Sequence, residues 1–219
     1  MNIQDFKNKQ LLEQVFTHRS YLNESPQKTE SNERLEFLGD SILSFVVSSY
    51  IFDNYRNFNE GELTNLRSIL TNTDTLATVA RELDLGSKLK LSRGEESSGG
   101  RENKSLLANT FEAVLGGIFT DQGLIAVTDF INETILSKTE KFIEEYGLKD
   151  PKSQLQETIQ ELHKISPIYK ILEESGPDHA KTYTIGVYLF EKLLASGVGK
   201  SKQEAEKIAA GEALKTFVV

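Results

Sequence analysis

The run Asn32–Leu43, NERLEFLGDSIL, restricts the fold more than any other part of the chain. Asn32 is a good N-cap, and Glu33 follows in the first turn, where a negative charge meets the helix dipole. Leu35, Phe37, Leu38, Ile42, Leu43, Phe45, Val46 and Val47 make the helix apolar almost all the way round, which predicts that it is largely buried. Glu33, Glu36 and Asp40 nevertheless recur at spacings of three and four, on one face. Carboxylates so placed repel one another and lose hydration, and a divalent cation reverses both costs. The alternative is the wet side of an amphipathic helix. This stretch alone fits both.

A second stretch favours the cation. Lys104–Phe119, KSLLANTFEAVLGGIF, is again apolar and helical in length. Apart from Thr110, Asn109 and Glu112 are its only polar side chains between Ser105 and Phe119. They sit three apart, on one turn. Two buried helices that each present an oxygen pair at such spacing build an oxygen-rich magnesium or manganese site in a helical fold. The acidic oxygens of both helices are therefore expected to converge on one ion. Gly116 and Gly117 predict a close helix approach.

A chain of 219 residues holds one large domain or two small ones. It has 38% apolar and 26% charged residues, ordinary for a soluble globular protein. No run is expected to reach transmembrane length, and the start, MNIQDFKNKQ, lacks a signal peptide's apolar core. There is no cysteine, which excludes disulfides, thiolate metal sites and cysteine nucleophiles, and suits a reducing cytoplasm. A net charge of −8 argues against a broadly basic nucleic-acid surface. Residues 150–219 are nearly balanced, with nine lysines against ten acids, so the excess acid lies with the carboxylate helices. Nucleic-acid contacts must rest on local basic clusters.

Apolar spacing predicts helices over residues 3–16, from Asn32 to about Tyr55, from Glu60–Glu62 through Leu70, and over Thr75–Leu85 with Gly86 as the stop. Further helices are expected at Lys104–Thr120 and, unbroken, at Ile125–Tyr146. Asn23–Ser31, with Pro26, and Ser92–Asn103 read as loops. Residues 1–147 are thus all helix, and 148–151 form a linker. From 152 to 219 the pattern changes. Leu155, Ile159 and Leu162 mark one helix. Pro167–Glu173 is a candidate strand. Tyr183, Ile185, Val187 and Leu189 alternate as a half-buried strand. Lys192–Ser196 is a third strand, closed by Gly197 and Gly199. Lys202–Phe217 is a helix with Ala205, Ala209 and Ala213 on one face.

ERLEFLGDS at Glu33–Ser41 resembles the signature of ribonuclease III, the endonuclease family that cuts double-stranded RNA. THRSY at Thr17–Tyr21, EGELTNLRSILT at Glu60–Thr71 and LLANTFEAVLGG at Leu106–Gly117 extend the resemblance. The α-β-β-β-α region resembles the double-stranded RNA-binding domain, most clearly in GVGKSKQEAEKIAAGEAL at Gly197–Leu214. The resemblance implies an all-α endonuclease domain followed by a small α+β RNA-binding domain. It implies a cytoplasmic homodimer, joined through its nuclease domains and without a membrane partner. Its activity would be metal-dependent hydrolysis of duplex RNA, with short 3′ overhangs and 5′-phosphate and 3′-hydroxyl ends. The implied role is processing of ribosomal, messenger or small RNA precursors. A module that grips duplex RNA without cutting is the rival reading.

The resemblance also assigns residues. Glu36, Asn109 and Glu112 would hold Mg²⁺, with Mn²⁺ as substitute. Asp40 and Glu112 would be catalytic, Asp40 orienting the attacking water. The family usually has Asp where this chain has Asn109. An amide oxygen still ligates but brings no charge, so metal binding should weaken. Glu33, Glu60 and Lys104 would stand near the site or touch RNA; a solvated helix-end acid or a surface lysine is the plainer reading. His18 reads as a packed structural histidine. Lys200, Ser201, Lys202 and Lys207 would form a phosphate clamp at a helix start. Gln203 and Glu206 stand where the family often has lysines. Gln156 and His179 match positions that meet two minor grooves. Phe37 suits a dimer contact or the core of its own subunit.

Overall fold

The structure, a computed structural model, describes residues 6–25, 29–147, 151–177 and 181–217. The chain divides into two compact units, Met1–Leu148 and Lys149–Val219.

The first unit is helical. Its helices are α1 (Lys9–Val15), α2 (Glu33–Asn54), α3 (Glu60–Thr71), α4 (Thr73–Glu82), the short α5 (Leu85–Lys88) and α6 (Arg93–Ser97), α7 (Lys104–Gln122), α8 (Leu124–Thr134) and α9 (Thr139–Tyr146). Helices α2 and α7 cross at its centre. Leu35, Leu43, Val46 and Val47 share one buried core with Leu107, Phe111, Val114 and Leu115. A Cβ built on Gly39 would collide with the carbonyl oxygen of Glu112, and one on Gly116 with that of Leu35. Only hydrogen fits at either place, so the two backbones touch.

Helix α2 is less buried than its composition predicts. Phe37, Phe45 and Phe52 are 78%, 62% and 71% exposed, so the helix is apolar on more sides than this unit covers. The intra-subunit core role for Phe37 is thereby corrected. At 22 residues α2 also reaches the length and hydropathy of a membrane-crossing helix, contrary to expectation; here it is the packing partner of α7.

Other local expectations change for identifiable reasons. Gly86 does not stop α4. Asp84, in the left-handed region at φ 51°, precedes α5, and Gly86 lies inside that helix against the Arg101 carbonyl. The supposed loop 92–103 contains α6 and a 3₁₀ turn, Gly100–Glu102. Ser92 Oγ accepts from the Glu95 N–H at 3.2 Å. Arg101 Nη1 donates to the carbonyls of Gly86, Ser87 and Leu89 at 2.8–3.1 Å. The helix expected over 125–146 is interrupted by a 3₁₀ turn at Leu136–Lys138. The Thr134 and Thr139 hydroxyls donate to the carbonyls of Phe130 and Leu136. The break lets Ile135, Leu136 and Phe142 all enter the core.

The second unit runs α10 (Pro151–His163), β1 (Ile168–Ser175), β2 (Thr182–Leu189), β3 (Lys192–Gly199) and α11 (Lys202–Phe217). The strands form one antiparallel sheet in the order β1-β2-β3, with Ile171 opposite Ile185 and Val187 opposite Ala195. Pro151 opens α10 instead of belonging to the linker, at a position where its missing N–H costs nothing; residues 148–150 lie outside the described residues. Val187 and Leu189 pack with Leu155, Ile159, Ala209 and Ala213. Leu162 is exposed, so the buried stripe of α10 ends a turn early. Gly197 and Gly199 do not close β3 but lie in it. A side chain on either would meet the backbone of α11 near Ala205, so these glycines let the helix lie directly on the strand.

Candidate active site

Gly39 lies between Glu36 and Asp40 on α2, and Glu112 lies one turn before Gly116 on α7. Backbone contact at the glycines therefore sets the polar residues of both helices around one cavity of about 590 Å³. Glu33, Glu36 and Asp40 line it from α2, Asn109 and Glu112 from α7, and His18 and Arg19 from the segment before α2. Glu60 and Lys104 do not line it. Glu60 Oε1 accepts from Thr64 Oγ1 at 3.2 Å, and Lys104 pairs with Asp74 at 2.5 Å.

The cavity is short of positive charge. Burial, then the neighbouring Asp40 and Glu36, push the Glu112 carboxyl up to about 8. Glu36 is raised by burial first and by Glu33 and Asp40 after it, while Arg19 pulls it back. Asn109 and Glu112 are half-buried and Asp40 is exposed. The donors are hard oxygens, which suit Mg²⁺, Mn²⁺ or Ca²⁺ and not a thiolate-seeking metal. A cation here would offset both the burial and the repulsion that lift Glu112, so the donor set fits such an ion. The convergence is looser than expected: among the described residues no three His, Asp or Glu side chains already stand as a chelating group. Mg²⁺ usually keeps several waters, which suits that wider spacing.

Two lining residues escaped sequence reasoning in different ways. His18 reads as a packed histidine, and its Nδ1 is engaged, accepting from the Ser20 N–H at 3.2 Å and lying 2.8 Å from Ser20 Oγ. Burial lowers its pKa against the pull of Glu95. It faces the cavity all the same. Nothing in the sequence THRSY singles out Arg19. Its Nη1 stands 3.5 Å from Glu33 Oε1, while Ser31 Oγ donates to Glu33 Oε2 at 2.9 Å. Asn32, expected to cap α2, makes no side-chain cap. Its buried amide donates instead to the Val15 carbonyl at 3.2 Å, and its backbone N–H to that of Thr17 at 2.9 Å, tying α2 to the THRSY segment.

In the second unit Lys200, Ser201, Lys202 and Lys207 are exposed around the start of α11. The Glu204 N–H donates to Ser201 Oγ at 3.2 Å, and the Lys200 N–H to Glu204 Oε2 at 2.7 Å. Glu204 thus already occupies part of the helix N-terminus. Lys202 pairs with Glu174 at 3.5 Å and lies over the Tyr183 ring. Gln156 is exposed on α10, Glu206 pairs with Lys152 at 2.5 Å, and His179 lies outside the described residues.

Residues 8–139 match the ribonuclease-III-like family and residues 151–216 the double-stranded RNA binding motif. Fold and cavity thus define an endoribonuclease that carries its own duplex-binding domain. The chain is 45% identical over 213 residues to ribonuclease 3 of Borreliella afzelii, covering 97% of this chain and 87% of the relative. It is 46% identical over 211 residues to ribonuclease 3 of Bacillus cereus strain G9842, covering 96% and 86%. Among solved structures it resembles the nuclease domain of Campylobacter jejuni ribonuclease III, with a TM-score of 0.55 and 34% identity, covering 65% of this chain and 89% of that one. A second structure of that domain gives 0.56 and 36%, covering 64% and 92%. The chain belongs to the ribonuclease III family, whose members act with metal ions on double-stranded RNA.

Proposed function

We propose that the protein hydrolyses duplex RNA with Mg²⁺, Mn²⁺ serving in its place, and leaves 5′-phosphate and 3′-hydroxyl ends. One observation carries this reading. Glu36, Asp40, Asn109 and Glu112, from two helices in backbone contact, share a cavity in which burial, and then the carboxylates of Asp40 and Glu36, hold Glu112 near 8. Glu36 and Glu112 would hold the ion, with the Asn109 side-chain oxygen as a neutral third ligand. Bound there, a divalent ion supplies charge for the phosphate and acidifies water. Glu112 would give up its proton on becoming a ligand. Asp40 accepts a hydrogen bond from the attacking water and aims it at phosphorus. The water oxygen–phosphorus bond would form as that water releases a proton to solvent, the bond from phosphorus to the 3′-oxygen would break, and that oxygen would take a proton from solvent and leave as the 3′-hydroxyl. Glu33 remains an outer carboxylate, held by Arg19 and Ser31.

Lys200, Ser201, Lys202 and Lys207 grip phosphates across the duplex, with Gln156 and His179 at the minor grooves. Glu204 and Glu206 thin the positive charge there, so affinity falls steeply with salt. Two copies pair through the face of α2 that carries Phe37, Phe45 and Phe52. Its exposure supports this, as does the second Campylobacter structure, whose name refers to a region involved in dimer formation. Each copy then cuts one strand, giving short 3′ overhangs. Groove-shape recognition without base reading suits ribosomal, messenger and small RNA precursors alike, and a chain without cysteine suits the cytoplasm.

The test is Glu112→Gln with a long labelled duplex and Mg²⁺, followed by analysis of the product ends. Duplex binding should persist and cleavage vanish, while the parent yields 5′-phosphates. Cutting by the variant at the parental rate would remove Glu112 from the chemistry.

A further inference from the structure

We propose that Arg19 is a phosphate-positioning residue, which exchanges its Glu33 partner for a non-bridging oxygen of the RNA strand entering the cavity. The inference rests on the duplex-cutting reading above and gives Arg19, there only a partner of Glu33, a role towards the RNA.

Among the described residues that line the cavity, Arg19 is the only lysine or arginine, against four carboxylates: Glu33, Glu36, Asp40 and Glu112. His18 beside it does not share the task, because burial lowers its pKa and its Nδ1 already accepts a backbone N–H. A phosphodiester approaching such a surface is repelled unless cations meet it. The metal supplies one and Arg19 another.

The base of Arg19 is fixed and its tip is loose. Thr17 is fully buried and bridges to Lys90. The His18 N–H donates to the Lys90 carbonyl at 3.1 Å, and the Asn32 N–H to the Thr17 carbonyl at 2.9 Å. A 3₁₀ turn, Arg19–Asn23, begins directly after. The backbone is thus pinned on one side by the bridge to Lys90, just after α5, and on the other by the start of α2. The side chain is 72% exposed and meets Glu33 through a single contact at 3.5 Å, longer than a charge-assisted hydrogen bond. An exposed pair of that kind adds little to stability, so it is easily given up. A guanidinium presents a planar fork that matches phosphate oxygens two at a time, which the present contact with Glu33 does not use.

The role predicts opposite effects on the two ligands. In Arg19→Ala, KM for duplex RNA should rise about tenfold and the slope of log affinity against log salt should fall by about one. Mn²⁺ binding to the same variant without RNA should be unchanged or tighter, since a cation has left the carboxylates. Arg19→Lys should recover part of the KM loss. Unchanged KM and salt slope in an Arg19→Ala protein that melts normally would overturn the proposal. So would weaker Mn²⁺ binding, which would make Arg19 a support of the acidic frame. Parent enzyme assayed alongside keeps the two readings apart: if it fails to cut duplex RNA, the proposed function fails, whatever Arg19 does.

Discussion

The peptide carbonyl of Glu112 rests against Gly39, and nothing larger than hydrogen fits between them. A packing contact and the placing of the carboxylate proposed for catalysis are here the same contact. Gly39→Ala must push α2 and α7 apart or shift one along the other. Overpacking of this kind costs about 3 kcal/mol, and it moves Glu36 and Asp40 away from Asn109 and Glu112. Cleavage should be lost along with the thermal stability. Gly94→Ala is the control, because a Cβ there meets only Ser92 Oγ, at 4.0 Å. Melting curves and cleavage rates of the two variants check this; a stable, active Gly39→Ala protein would mean that the helices are not held by this contact.

Glu112 makes both stability and metal binding depend on pH. Its carboxyl is raised from an ordinary 4.5 to about 8, so the folded metal-free protein holds this proton more tightly than the unfolded chain. The contribution is full below about 4.5 and is lost as pH rises towards 8. Metal binding displaces the proton, so affinity should climb up to about tenfold per pH unit in that window and level off above 8. Metal-free Tm and Mn²⁺ affinity between pH 5 and 9 measure both. In Glu112→Gln the Tm trend should flatten, leaving the weaker same-sign contribution of Glu36.

Asn109 leaves the cavity one charge poorer than an aspartate at the same place would. Asn109→Asp should lower the Mg²⁺ concentration for half-maximal cleavage roughly tenfold, because ligand charge tunes affinity for hard cations. A cleavage titration of both proteins against Mg²⁺ decides it. Superimposable curves would mean that the amide contributes nothing to metal affinity.

Phe45 is exposed on α2 and lies outside the cavity lining, so it tests pairing without touching the site. Phe45→Glu should weaken the dimer on the order of thirtyfold, as loss of a central aromatic anchor does. Sedimentation across a concentration series reads this. Dimerisation as tight as in the parent would place the interface elsewhere.

What was legible in the chain had a period or a steric demand behind it. The i,i+3 and i,i+4 oxygen pairs stand out against apolar helices, Gly116 announces a close approach, and the alternation in β2 sets its inward face. Features fixed by a single distant partner were not legible. Asn32 looks like a cap until Val15 is seen to claim its amide. The 92–103 segment looks like a loop because nothing local shows that Arg101 will bind three carbonyls beside Gly86. The exposure of Phe45 and Phe52 follows from how much of α2 the other helices cover, which no local pattern contains. Arg19 is one arginine in a charged chain, and only the folded cavity isolates it.

The four polar side chains at the α2–α7 crossing come from helices with α3 to α6 between them in the chain. On the proposed assignment, a nascent chain that has made α2 but not yet α7 carries half of the constellation and should not cut. The same is expected of a proteolytic fragment, or of a collapsed chain whose two glycines have not met. Tertiary closure would then be the event that arms the molecule.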